Sequence, residues 1–252
     1  MMSVVEVNVD QRAAPSTGFS SYFSASRDLF TSVVLIMPLF IVYQVGILAT
    51  GGLKNGVDFV TNILSLAFGG NVVWYIPFNL VVMLGFAVAL SALRKRGQFA
   101  PRLIPWMLLE SGVYAILLGS VVVAMMNLLG LGGLLAAGGR MAEMTFVDKL
   151  VMSAGAGLYE EIVFRLLLMG GMFLGLTRAL GVNSVVATVV AIVCSSVIFS
   201  AAHHIAEPFT MSAFTFRIFA GVLFAVVFRA RGLAVAAYTH CFYDVWVMVF
   251  HA

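Results

Sequence analysis

The sequence predicts an all-α, polytopic transmembrane helical bundle of about seven spans, on three observations. Hydrophobic residues fill 62% of the 252 positions and charged residues only 10%, whereas soluble domains carry about 25% charged residues. The apolar runs are about 20 residues long, the length at which a helix crosses a hydrocarbon core ~30 Å thick. Alternating ten-residue segments, the mark of an outer-membrane barrel, do not occur. The expected organisation is one transmembrane helical domain over residues 29–252 behind a cytoplasmic tail at 1–28.

Residues 1–27 are polar and mixed, and Val4 to Val9, interrupted by Glu6, is too short for a signal-peptide core, so no cleaved signal is expected. Leu29 to Thr50 is the uncharged first span, with a kink at Pro38 that neighbouring helices can absorb, and Gly51-Gly52 ends it. Val57 to Phe68 mixes Asp58, Thr61, Asn62 and Ser65 with apolar residues. At 12 residues it cannot cross alone, and as a re-entrant or interfacial helix it would raise the count to eight.

Val72 to Leu93 is the second span, closed by Arg94-Lys95-Arg96. Leu103 to Leu129 is the third, entered through Pro101 and Pro105 and carrying Glu110, and a glycine-rich loop follows over Gly130 to Gly139. Leu150 to Leu180, Val182 to Ala202, Ala213 to Phe228 and Leu233 to Phe250 complete the seven. Three pairs of small residues spaced by four, Ser153 with Gly157, Gly171 with Gly175 and Ser196 with Ser200, are candidate close-approach sites between helices.

Lys and Arg near span ends set orientation. In this layout nine of them (Arg12, Arg27, Arg94, Lys95, Arg96, Arg102, Arg178, Arg229, Arg231) fall on one side and three (Lys54, Arg140, Lys149) on the other. The excess places the N-terminus in the cytoplasm, and a bacterial inner membrane is the expected location. The net charge of +3 carries no basic, aromatic-interleaved patch, so nucleic acid is not an expected partner; the bilayer is. Cys194 and Cys241 lie inside apolar runs and indicate no disulfide framework.

Within the fourth span, Gly157-Leu158-Tyr159-Glu160-Glu161-Ile162-Val163-Phe164-Arg165 holds three charges. Each costs on the order of 2.5 to 3.5 kcal/mol near the bilayer centre even on the mild insertion scale, which makes a functional role the default reading. On an α-helix Glu161 and Arg165 share a face in the favourable order for an ion pair, while Glu160 is rotated by ~100°. Arg165 can then neutralise Glu161 and leave Glu160 available as a base or metal ligand; the alternative is a buried clasp of all three.

Phe199 and His203 stand four apart near the end of the fifth span, followed by His204, a structural or supporting residue on this spacing. His240 and Asp244 stand one turn apart on the seventh, where Asp244 can orient His240 or join it around a developing negative charge. Carboxylates and histidines on three apolar helices are what activation of water inside a membrane needs. His-Glu-x-x-His, Gly-x-Ser-x-Gly and a phosphate-binding glycine loop do not occur.

Taken in order, Glu-Glu-x-x-x-Arg, Phe-x-x-x-His and His-x-x-x-Asp over residues 148–250 resemble the CPBP group of intramembrane proteases, which includes CAAX prenyl endopeptidases and abortive-infection-like proteins. The resemblance implies a peptidase cleaving near the C-terminus of a membrane-associated or lipidated protein or peptide. It implies that Glu160 and His203 activate water while His240 and Asp244 hold the oxyanion or help bind a metal, with Glu161, Arg165 and Phe199 supporting. Asp244 stands where many members have asparagine, and an ionised Asp cannot donate a hydrogen bond, so supporting a metal or orienting His240 suits it better.

Whether a metal takes part stays open at this point: Glu160, His203 and His240 could ligate Zn²⁺ with one position left for water, and a metal-free Glu-His pair uses the same residues. With the N-terminus inside, the fifth and seventh spans run outward, which places His203 and Asp244 toward the outer leaflet. Three further readings stand beside this one. A transporter could extend a proton path through Glu110 and Arg217, although no repeat supports it. A binding or immunity factor could keep the fold without turnover, and Cys241 could serve as a nucleophile.

Overall fold

The computed structural model describes residues 19–50, 72–94, 101–132, 144–205 and 208–250, and the regular elements among them are all helical. In chain order they are α1 (Phe19–Ser26), α2 (Leu29–Ala49), α3 (Val72–Arg94), α4 (Ile104–Leu128), α5 (Phe146–Ala179), α6 (Ser184–His203), α7 (Met211–Arg231) and α8 (Leu233–Phe250). Five segments are long and apolar enough to cross a membrane: α2, Pro101–Leu128, α5, α6 and α7. Leu80–Ala92 within α3 and Leu233–Val249 within α8 are shorter apolar helices at the two other expected span positions. The segment 57–68 and most of the glycine-rich loop lie outside the described residues.

Local chemistry sets the helix ends. The Asp28 side chain accepts from the Thr31 backbone N–H to start α2, and Asn183 and Thr210 cap α6 and α7 in the same way. Thr145 and Asp148 form a reciprocal capping box at the start of α5. Gly232, at φ +87°, turns the chain from α7 into α8, a conformation that L side chains resist. The stretch expected as tail contains α1, whose Ser26 carbonyl would lie 2.8 Å from a Cβ at Gly232.

α8 is the hub of the bundle. Leu233, Ala234, Val235 and Ala237 join Leu35, Ile36, Phe40 and Tyr43 of α2 and Val151, Ala154 and Leu158 of α5 in one core. Its Tyr243 joins Leu118, Val122 and Met126 of α4 and Phe224 of α7 in a second. Residues such as Val185, Val189 and Val193 keep the outer face of α6 apolar and exposed, as suits a helix facing lipid. A Cβ at Gly157 would collide with the Ala237 carbonyl and meet Cys241 Cβ at 2.8 Å, so the glycine permits the close approach of α5 to α8. A Cβ at Gly171 or Gly175 would find nothing within 4 Å among the described residues, and the packing expected of that pair is not found among them.

The winding of α5 differs from expectation. Phe146–Gly155 is α-helical, but Ala156–Met169 and Gly175–Ala179 are π-helical, with i→i+5 pairing. Such winding is rare and recurs at functional sites. A wider turn rotates neighbouring residues through less than the ~100° of an α-helix, and all three motif charges lie inside it.

Candidate active site

Glu160 and Glu161 descend on adjacent positions of the π-helical stretch, 3% and 0% exposed. Their reduced angular separation lets both reach His240 of α8, where an α-helix was expected to turn Glu160 away from Glu161. Glu161 Oε1 lies 2.8 Å from His240 Nδ1, and Glu160 Oε2 lies 3.7 Å from His240 Nε2. The same Glu160 oxygen lies 3.7 Å from His203 Nε2 at the end of α6. Asp244 Oδ2 approaches His240 Nε2 to 3.7 Å. Glu160, His203, His240 and Asp244, distant in sequence, thus share one centre.

The partners of the imidazoles assign their tautomers. His203 Nδ1–H donates to the Phe199 carbonyl at 2.9 Å, and His240 Nδ1–H donates to Glu161, so each neutral ring turns an Nε2 lone pair toward Glu160. Four acceptors, the Glu160 and Asp244 carboxylates and two imidazole nitrogens, therefore border the same small space. Separations of 3.7 Å invite an intervening water, which can donate two hydrogens among them.

Arg165 completes the polar wall. Its Nε lies 3.4 Å from Glu161 Oε2 and its Nη2 donates to the Gly221 carbonyl of α7 at 3.3 Å. Its guanidinium lies 4.4 Å from the Phe199 ring centre and 5.7 Å from that of Phe224, within the range of cation–π attraction. Glu161 thus does two jobs, neutralising Arg165 and fixing His240. His240 Nδ1 is held by Glu161, because the π turn brings that carboxylate round, while Asp244 lies on the Nε2 side of the ring.

Phe224 and Gly221 carry no sequence signal: α7 contains none of the motif residues, and a phenylalanine in an apolar span is ordinary there. Phe224 stacks on His240 with ring centres 4.1 Å apart and planes 18° apart. His204 packs against Phe209 and Phe214, its Nδ1 3.2 Å from the Pro208 carbonyl, apart from the centre. Cys241 lies buried against α5 at Gly157. Among the described residues no group of three or more His, Cys, Asp and Glu side chains takes up an arrangement that could hold a metal ion.

Glu110 lies in a separate cluster. Arg231 Nε and Nη2 donate to its two oxygens at 2.5 and 2.8 Å, and Tyr22 and Tyr114 donate their hydroxyls to it. Arg231 also lies 4.0 Å from the Phe23 ring centre, so this clasp pins α1 to the end of the bundle. Arg231 ends α7, and His240 lies seven residues past the start of α8 at Leu233, ~10 Å along that helix.

The fold and the centre together define a multi-pass helical membrane protein that gathers acid and base groups from three helices at a buried position. Residues 142–246 match the model of the family described as Type II CAAX prenyl endopeptidase Rce1-like, a stretch that includes every motif residue from Glu160 to Asp244. Over that stretch the chain is similar to the CAAX-type proteases. No curated protein and no solved structure matches it.

Proposed function

We propose that the protein is an intramembrane endopeptidase that hydrolyses a peptide bond near the C-terminus of a membrane-anchored or lipidated substrate, with Glu160 as general base. The observation that carries this reading is the placement of one Glu160 oxygen 3.7 Å from the Nε2 atoms of histidines on two other helices. Water held among them gives a proton to Glu160 as its oxygen bonds to the scissile carbonyl carbon. Glu160 then passes the proton to the leaving amine as the C–N bond breaks. His203 aligns the water through Nε2.

On substrate binding His240 takes up a proton from solvent at Nε2, and that N–H donates to the developing oxyanion while Glu161 and Asp244 balance the charge; the proton returns to solvent on product release. The steps as proposed use Glu160, His203 and His240 without a metal. We place seven spans in the membrane with the N-terminus in the cytoplasm: Arg27, Arg94, Arg102, Arg178, Arg229 and Arg231 all mark the same end of an alternating bundle. The centre then opens toward the outer leaflet, which suits exported substrates. An impermeant thiol reagent on intact cells should label Glu207→Cys and not Gly97→Cys; the reverse pattern overturns the orientation.

Comparing the C-termini of membrane proteins in cells carrying wild-type protein or Glu160→Gln tests the reaction. C-terminal segments should remain attached with the variant, and identical C-termini in both would refute hydrolysis. Glu110 is held by one guanidinium and two hydroxyls, which fits a structural post better than a stage in a proton path.

A further inference from the structure

We propose that Phe224 is a positioning residue for the reaction, holding the His240 imidazole in the plane from which Nε2 faces Glu160. The hydrogen bond from Nδ1 to Glu161 fixes one point of the ring. The last torsion of a histidine is broad, so one hydrogen bond leaves the ring free to swing about that contact and carry Nε2 out of line. A flat ring 4.1 Å away and 18° from parallel removes that freedom. Phe199, edge-on to the same imidazole at 6.2 Å, is too far to do so.

Phe224 is itself held tightly. It is 1% exposed, meets Tyr243 edge-on at 5.9 Å, and lies beneath the Arg165 guanidinium. One turn earlier on α7, Gly221 lends its carbonyl to Arg165 and lets α6 approach, a Cβ there meeting Ser196 Cβ at 3.1 Å and the Phe199 ring at 3.2 Å. A helix without a motif residue thereby fixes both the imidazole that faces Glu160 and the guanidinium that pairs with Glu161. Displacement of a reacting group by about 1 Å can cost a hundredfold in rate, so a ring that only fills space and a ring that aims His240 have different consequences when removed.

The turnover arm of the test rests on the peptidase reading; the spectroscopic arm does not. Phe224→Leu keeps an apolar side chain of similar reach without the flat face, Phe224→Tyr keeps the face, and Phe219→Leu is a control on the same helix away from the centre. Purified in detergent with ¹⁵N-histidine, wild type should show His240, assigned with His240→Gln, as a single Nδ1–H tautomer. Phe224→Leu should show exchange between tautomers and a kcat lower by about tenfold or more at near-constant KM. Phe224→Tyr, should Phe224→Leu fail to fold, must keep both the single tautomer and most of the turnover.

An unchanged His240 signal in Phe224→Leu, or loss of the single tautomer in Phe224→Tyr, overturns the proposal. So does an equal fall in kcat in Phe219→Leu. If wild type cleaves nothing, the peptidase reading fails while the tautomer result still decides the role of Phe224.

Discussion

Two carboxylate–arginine clusters, one buried and one half-buried, stand among the described residues of this bundle, and they are built in opposite ways. At Glu110 every partner is a donor: Arg231 grips both oxygens and two tyrosine hydroxyls add to them. At the other cluster two imidazole Nε2 atoms face Glu160 at 3.7 Å, the ion pair of Glu161 to Arg165 is a looser 3.4 Å, and among the described residues Glu161 Oε2 and Arg165 Nη1 lack a hydrogen bond. Donor-saturated charge holds helices together, whereas a surplus of acceptors leaves room for a water and a use for its protons. Burial of charge alone does not separate the two; the count of donors against acceptors does.

Glu160→Gln should separate them most sharply, lowering turnover by about a thousandfold or more with the thermal midpoint nearly unchanged, as paired activity and melting assays would show. Glu110→Gln should do the reverse: stranding Arg231 costs about 3 kcal/mol, read as a lower unfolding midpoint, while turnover per folded molecule stays within about twofold. Arg165→Leu belongs between them, losing a similar stability by stranding Glu161 and also losing turnover, because Glu161 holds His240.

A smaller effect is expected at Gly157→Ala, where the new methyl must push α5 from α8; overpacking of about 1 to 3 kcal/mol should appear in melting, with reduced kcat from the displaced carboxylates. The smallest concerns the clasp alone. Burial, and then its hydrogen bond to Glu110, push the Tyr22 hydroxyl up to about 12 from its ordinary 10.0. Because the folded value is raised, this stabilisation is whole below about pH 10 and fades as pH rises through about 12. Tyr22→Phe should flatten that part of the stability profile.

Much of this architecture was legible in the sequence, and what escaped has physical reasons. Among the described residues, hydropathy and the long apolar runs placed the five helices long and apolar enough to cross a membrane and two shorter apolar ones, and α8 at Leu233–Phe250 matches to the residue. Glu160, His203, His240 and Asp244 could be named because charge is expensive among apolar residues, which makes it conspicuous. Ser153 with Gly157 was legible as a close approach, yet Gly171 with Gly175 shows the same spacing and packs against nothing among the described residues. Spacing does not reveal which face a partner occupies.

The second role of Glu161 was hidden by the π winding, since spacing rules assume 3.6 residues per turn. Phe224 was hidden because an aromatic residue in an apolar span has no contrast with its surroundings. Glu110, the third span's acid, reads in sequence as a candidate stage in a proton path, because sequence shows its charge and not its four donors. α1 lies in a segment whose composition resembles a tail, and only the docking of Tyr22 and Phe23 on Arg231 gives it a reason to be ordered.

The most direct test is to purify Glu160→Gln and Glu110→Gln beside wild type and measure turnover and unfolding midpoint on the same preparations. A lost turnover with an unmoved midpoint in Glu160→Gln, and a lowered midpoint with retained turnover in Glu110→Gln, is the predicted result. Turnover retained by Glu160→Gln, or parallel loss of both properties in both variants, would contradict the assignment of one cluster to chemistry and the other to structure.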